Sequence, residues 1–218
     1  MRRPVKADLM PWFARALSSS YRHTLQRTIF NTRARLRGES DLVRVFVNPR
    51  DPFGLPLLQA LVQLQEHFRV RIRLHTVWQL DDEMYPEPAL WGSWAQQDAT
   101  LIAKLYNFTP PDRPTPLSET ELKSATARLL HAEQANDGLN TAARILAGLW
   151  SSDSQSEPDP EPTDLHNQTL FENEKMLRRL GHYQGSMIWY LGEWFWGVDR
   201  LDHLERSLTG QGLNREAS

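Results

Sequence analysis

LGHYQGSMIWYLGEWFWGVDRLDHLERSL, residues 180–208, carries two periodicities in one stretch. Met187–Leu191 and Trp194–Trp196 are runs of aromatic and branched residues that suit a buried, pleated sheet. Gly192-Glu193 between them predicts a two-residue hairpin turn. After Gly197 the spacing changes: Leu201, Leu204 and Leu208 fall on one helical face, and Asp199 is the expected opening of that helix. A hairpin followed by a helix is half of a small α/β layer. The rest of the chain has to supply the other half.

That half is legible from residue 42. Leu42-Val43-Arg44-Val45-Phe46-Val47 is apolar apart from one arginine and reads as a buried strand. Asn48-Pro49-Arg50-Asp51-Pro52 then breaks it, with Asp51 in the place of a helix N-cap and Pro52 at the first helical position. Leu57, Leu58, Leu61, Leu64 and Phe68 carry the helix onward, and Val70-Arg71-Ile72-Arg73-Leu74 alternates as a second strand with one polar face. A right-handed strand, helix, parallel strand unit is the economical topology.

Between the halves the pattern is helical. Helices are expected over Trp94–Phe108, from Ser118-Glu119-Thr120-Glu121 (a capping-box pattern) through Leu130, over Leu139–Trp150, and over Leu165–Leu180 before Gly181. Residues 151–163, SSDSQSEPDPEPT, are acidic and Pro-rich, the composition of a solvated loop. The expected organisation is an N-terminal arm at 1–40, a β-α-β half at 41–78, a helical insertion at 79–180, a β-β-α half at 181–210 and a tail at 211–218.

Composition narrows the classes of function. With 218 residues, 40% apolar and 24% charged, the chain can bury a core of ordinary size. A net charge of -2 argues against a dedicated nucleic-acid binder. There is no cysteine, which removes disulfides, thiolate metal sites and thiol nucleophiles of this chain's own. The histidines show no metal-ligand spacing, so no metal is expected. No apolar run approaches a membrane span, and a cytoplasmic location is the simplest expectation. Residues 1–37 hold nine Lys or Arg and one acid, Asp8, with Leu9, Trp12, Phe13 and Leu17 on one helical face. Such an arm suits contact with an anionic surface or a protein partner, and more simply suits a helix packed on its own domain with its arginines in water.

The order strand, helix, strand, helical insert, strand, strand, helix resembles the thioredoxin-like fold of the DsbA-like family. That family includes 2-hydroxychromene-2-carboxylate isomerases and kappa-class glutathione transferases. Phe195-Trp196-Gly197-Val198-Asp199-Arg200-Leu201 is similar to the family's closing motif, and Asp51-Pro52-Phe53-Gly54 stands where the family carries its active-site turn. The resemblance puts Asp51 at the nucleophile position, Gly54 at the second redox-cysteine position and Ser186 at the cis-proline position, where a trans peptide is expected instead. It implies a ligand site across Asn48, Asp51, Phe53, Gly185, Ser186, Asp199 and Arg200, with glutathione or another small thiol compound as candidate ligand. His182 and Tyr183 are further candidates from their place before the Ser186 loop. A homodimer is a candidate assembly.

The residues themselves leave two readings open. Asp51 at a helix N-terminus is an anion in a field that stabilises anions, so it is either a modest general base or an ordinary cap. Asp199 could meet a ligand's amino group or cap its own helix, and Arg200 could pair with Asp202 or Glu205. His182 could do acid–base work or hold the loop by a hydrogen bond. Two functions follow: an isomerase- or transferase-like enzyme around a small thiol, or a non-catalytic binding module acting through the inserted helices or the basic arm. Dithiol exchange by this chain's own residues is excluded in both.

Overall fold

The computed structural model describes residues 20–78, 88–114, 116–152 and 164–215. The apolar face expected at Leu9–Leu17, most of the 151–163 loop and the end of the 211–218 tail lie outside them. The chain divides into two compact units, residues 1–40 with 191–193, and the remainder. In the first unit, helix α1 (Ser20–Leu36) carries Arg33 and Arg35 in its last turn, where cations suit the negative helix end. Gly38, at φ 63, lets the Glu39 N–H reach back to the Ala34 carbonyl and close that helix.

The sheet is built from β1 (Leu42–Val47), β2 (Arg71–Thr76) and the hairpin strands β3 (Met187–Tyr190) and β4 (Glu193–Trp196), with helix α2 (Gly54–His67) between the first two. The strands lie in the order β2-β1-β3-β4. β1 runs parallel to β2 from Leu42↔Arg71 to Val47↔Thr76, and antiparallel to β3 through Val45↔Ile188. The two halves read from the sequence therefore meet in one sheet. The hairpin turn is Leu191-Gly192 rather than Gly192-Glu193. Both turn residues have positive φ (49° and 88°), the geometry that matches strand twist, and this leaves Glu193 free to begin β4.

Between β2 and β3 lie α3 (Pro88–Leu105), α4 (Glu119–Ala132), α5 (Gly138–Trp150) and α6 (Asp164–Arg179). Pro88 opens α3 six residues before the expected Trp94, and Asn107 at φ 56 ends it before Phe108. The capping box at Ser118 and Glu121 forms as the pattern predicts. α2 packs against α5 and α5 against α4. Leu55, Leu57, Leu58 and Leu61 of α2 are fully buried, each worth about 1.5–3 kcal/mol relative to exposure. On the other face of the sheet, Phe46 and Val77 pack with Leu177 of α6. β2 thus has no wholly polar face. Arg71 and Arg73 are exposed, but α6 covers the strand's end and buries His75. After β4 the chain makes a 3-10 turn (Val198–Arg200) and then α7 (Leu201–Gly210).

Candidate functional site

The corner after β1 is made of nested turns. The Asp51 N–H donates to the Asn48 carbonyl at 3.0 Å, and the Arg50 N–H donates to Asn48 Oδ1 at 2.9 Å. The Phe53 N–H donates to Asp51 Oδ1 and the Gly54 N–H to the Asp51 carbonyl, both at 3.0 Å. Asp51 therefore caps the turn leading into α2, whose N-cap residue proper, Phe53, offers no side-chain bond.

The other side of the corner comes from the loop before β3. Gly185 lies so close to β1's end that a Cβ there would stand 2.6 Å from Asn48 Cβ and 2.8 Å from its backbone nitrogen. Ser186 is next, at φ 53 and 2% exposed. Proline, fixed near −65°, could not adopt that backbone, so the loop is reshaped at the expected proline position. The Ser186 hydroxyl faces the Asp51 carboxyl closely enough to favour its ionised form, yet makes no hydrogen bond of regular geometry. Burial dominates: it raises the Asp51 pKa to about 6, against the Ser186 hydroxyl and the Phe53 N–H.

Asn48, Asp51, Gly185 and Ser186 are thus brought together, with half-buried Phe53 held by its backbone. The corner is packed rather than open. A Cβ on Gly54 would already stand 3.1 Å from Leu146 and 3.4 Å from Ser186 Oγ. Asn48 at 0% and Asp51 at 7% exposure are buried in it, and no cysteine is present. Above it, Arg50 stacks on Trp78 at 4.3 Å and pairs with Glu119 at 2.8 Å.

Asp199 and Arg200 are elsewhere. Both are exposed, and Asp199 lines a groove against the far half of α2, with Ala60, Leu64 and His67. The helix cap expected of Asp199 does not form: Gly197 precedes the 3-10 turn, Arg200 precedes α7, and no side chain bonds at either position. Arg200 reaches His203 at 3.4 Å, while Asp202 pairs with Arg206 at 2.9 Å. His182 accepts the Gln184 N–H on Nδ1 and stacks on Tyr183, with burial lowering its pKa. It holds the loop, as a hydrogen-bonded structural histidine does.

A second buried polar group has no motif in the sequence. The Asn173 amide donates to the Thr76 carbonyl at 3.0 Å and to both Glu133 carboxylate oxygens at 3.1 Å, and Glu133 also accepts the Thr76 N–H. Asn173 Oδ1 then faces His75 Nδ1 at 3.0 Å, so that nitrogen carries the proton and Nε2 is bare. Burial lowers the His75 pKa to about 4 and raises that of Glu133. Only the period-two place of His75 in β2 could have hinted at this cluster. Glu133 and Asn173 sit on separate inserted helices. No metal-binding group of three or more acidic, histidine or cysteine side chains occurs among the described residues, nor is any helix there long and apolar enough to cross a membrane.

No protein-family model and no curated protein matches the sequence. Among solved structures, 2-hydroxychromene-2-carboxylate isomerase aligns over 78% of this chain and 96% of its own, with a TM-score of 0.60 and 13% identity. The likeness is one of fold: a DsbA-like thioredoxin fold with a helical insertion.

Proposed function

We propose that this chain is a thioredoxin-fold binding module whose former reactive corner has become structural. The observation that carries the reading is the burial of Asn48, Asp51 and Ser186, at 0%, 7% and 2% exposure. A nucleophile or general base must be within hydrogen-bond reach of its substrate. Asp51 instead spends Oδ1 on the turn it caps. Recognition then falls to the surface of the inserted helices and the elements beside them.

A second reading keeps a glutathione-like ligand, held by its amino group. It is favoured by the Asp199 carboxylate, which is exposed and has no ion-pair partner among the described residues. Calorimetry with glutathione and S-methylglutathione separates the two. The module reading expects no saturable heat at millimolar ligand and no reduction of insulin above the dithiothreitol background. Saturable heat abolished by Asp199→Ala would support the second reading, and heat abolished by Asp51→Ala would return the corner to a catalytic role.

A further inference from the structure

We infer that the groove between α2, α7 and the turn after α3 is a binding site for a small organic cation with an apolar body. The inference rests on the module reading and names the ligand class of such a site. The groove has a volume of about 470 Å³ and a floor of Ala60, Leu64, Val198 and Leu201. That size suits a small molecule, and the lining mixes this apolar floor with polar and charged side chains.

One wall is aromatic. Tyr106 and Phe108 stack with ring centroids 6.0 Å apart and an interplanar angle of 17°. Their turn is fixed: the Thr109 N–H donates to Gln59 Oε1 at 2.8 Å, and Gln59 Nε2 donates back to the Thr109 carbonyl at 3.2 Å. The wall is therefore clasped to α2 before any ligand arrives, which reduces the ordering cost of binding. Tyr106 remains 47% exposed, so the side chain stays accessible to a cation that would meet its ring.

The wall from the 3-10 turn and α7 carries three acids and one histidine, His203. Asp199, Asp202 and Glu205 line it, and only Asp202 has an ion-pair partner among the described residues, Arg206 and more distantly His203. Carboxylates alone would be an ordinary solvated helix face. Set across an apolar floor from a fixed aromatic pair, they complement an ammonium or amidinium group attached to a ring or short alkyl chain. An anion of the same shape meets two unpaired carboxylates.

The test uses the full chain, titrated separately with benzamidine, benzyl alcohol and benzoate and followed by amide NMR shifts. Benzamidine should saturate, with shifts centred on residues 106–109 and 198–205. Benzoate should not bind, and Asp199→Asn with Glu205→Gln should weaken benzamidine at least tenfold. Tyr106→Ala should weaken it about threefold or more. Benzoate or benzyl alcohol binding as tightly as benzamidine, or the double variant binding as well as wild type, overturns the proposal. Glutathione added to the same samples reports on the corner independently. Shifts at 48–54 and 185–186 would sink the module reading, whereas silence from benzamidine sinks the groove alone.

Discussion

The Ser186 hydroxyl is turned onto the Asp51 carboxyl, two buried polar groups brought together from opposite halves of the chain. The pairing is imperfect. It opposes the desolvation of Asp51 without cancelling it, and the carboxyl is left with a pKa of about 6.

This fixes a pH dependence. Because the Asp51 pKa is higher folded than unfolded, the native state binds more protons between about pH 4 and 6, and stability falls as pH rises through that window. His75 acts in the opposite sense. Its folded pKa of about 4 lies below its unfolded value, so stability is lost as pH falls from about 6.5 to 4. Each shift corresponds to about 3 kcal/mol at most, so the two nearly offset one another between pH 4 and 6. Urea unfolding should show a shallower slope there in wild type than in a variant that lacks either group. Asp51→Asn, which keeps an acceptor for the Phe53 N–H, should gain about 1–3 kcal/mol at pH 7 and leave the slope of His75. His75→Gln should leave the slope of Asp51. Asp51→Asn less stable than wild type at pH 7 would contradict the desolvated carboxyl.

Gly185 and Gly54 both border the corner but differ in what surrounds them. An alanine at 185 meets the Asn48 backbone, which cannot yield, whereas one at 54 meets the tip of Leu146. Gly185→Ala should cost about 1–3 kcal/mol. Gly54→Ala should be close to neutral, since better helix propensity offsets the contact by up to about 1 kcal/mol. Thermal denaturation of the two variants checks the order, and equal costs would remove the close backbone approach from the account.

Ser186 has a left-handed backbone that a side chain disfavours by about 1–2 kcal/mol. Ser186→Gly should therefore raise the unfolding midpoint at pH 5, where Asp51 is mostly protonated and the lost hydroxyl matters least. Ser186→Pro should lower it sharply, because the ring cannot reach φ 53. A tolerated proline would mean that the loop relaxes to the conformation it has given up.

The local features were legible because they depend on near neighbours. The six residues of β1, the leucine face of α2, the Ser118 capping box and the stop at Gly181 each follow from period, cap or turn chemistry within a few positions, although α2 starts at Gly54 rather than at Pro52. The hairpin slipped by one residue because Leu191, an unusual residue for positive φ, takes the first turn position. The order of strands and helices, with the closing motif, was enough for the fold. The site was not legible in the same way, because it depends on which surfaces meet.

Sequence alone determined that this protein is a sheet of two halves around a helical insert and that it has no sulfur nucleophile. Only the tertiary structure decided that Asp51 and Ser186 are buried together, that Asp199 lines a different groove, and that His75, Glu133 and Asn173 share one buried cluster. Periodicity records which face of an element is apolar, a local property of the chain. Burial of a particular carboxylate or imidazole depends on segments far apart in sequence, and its desolvation sets the charge it carries.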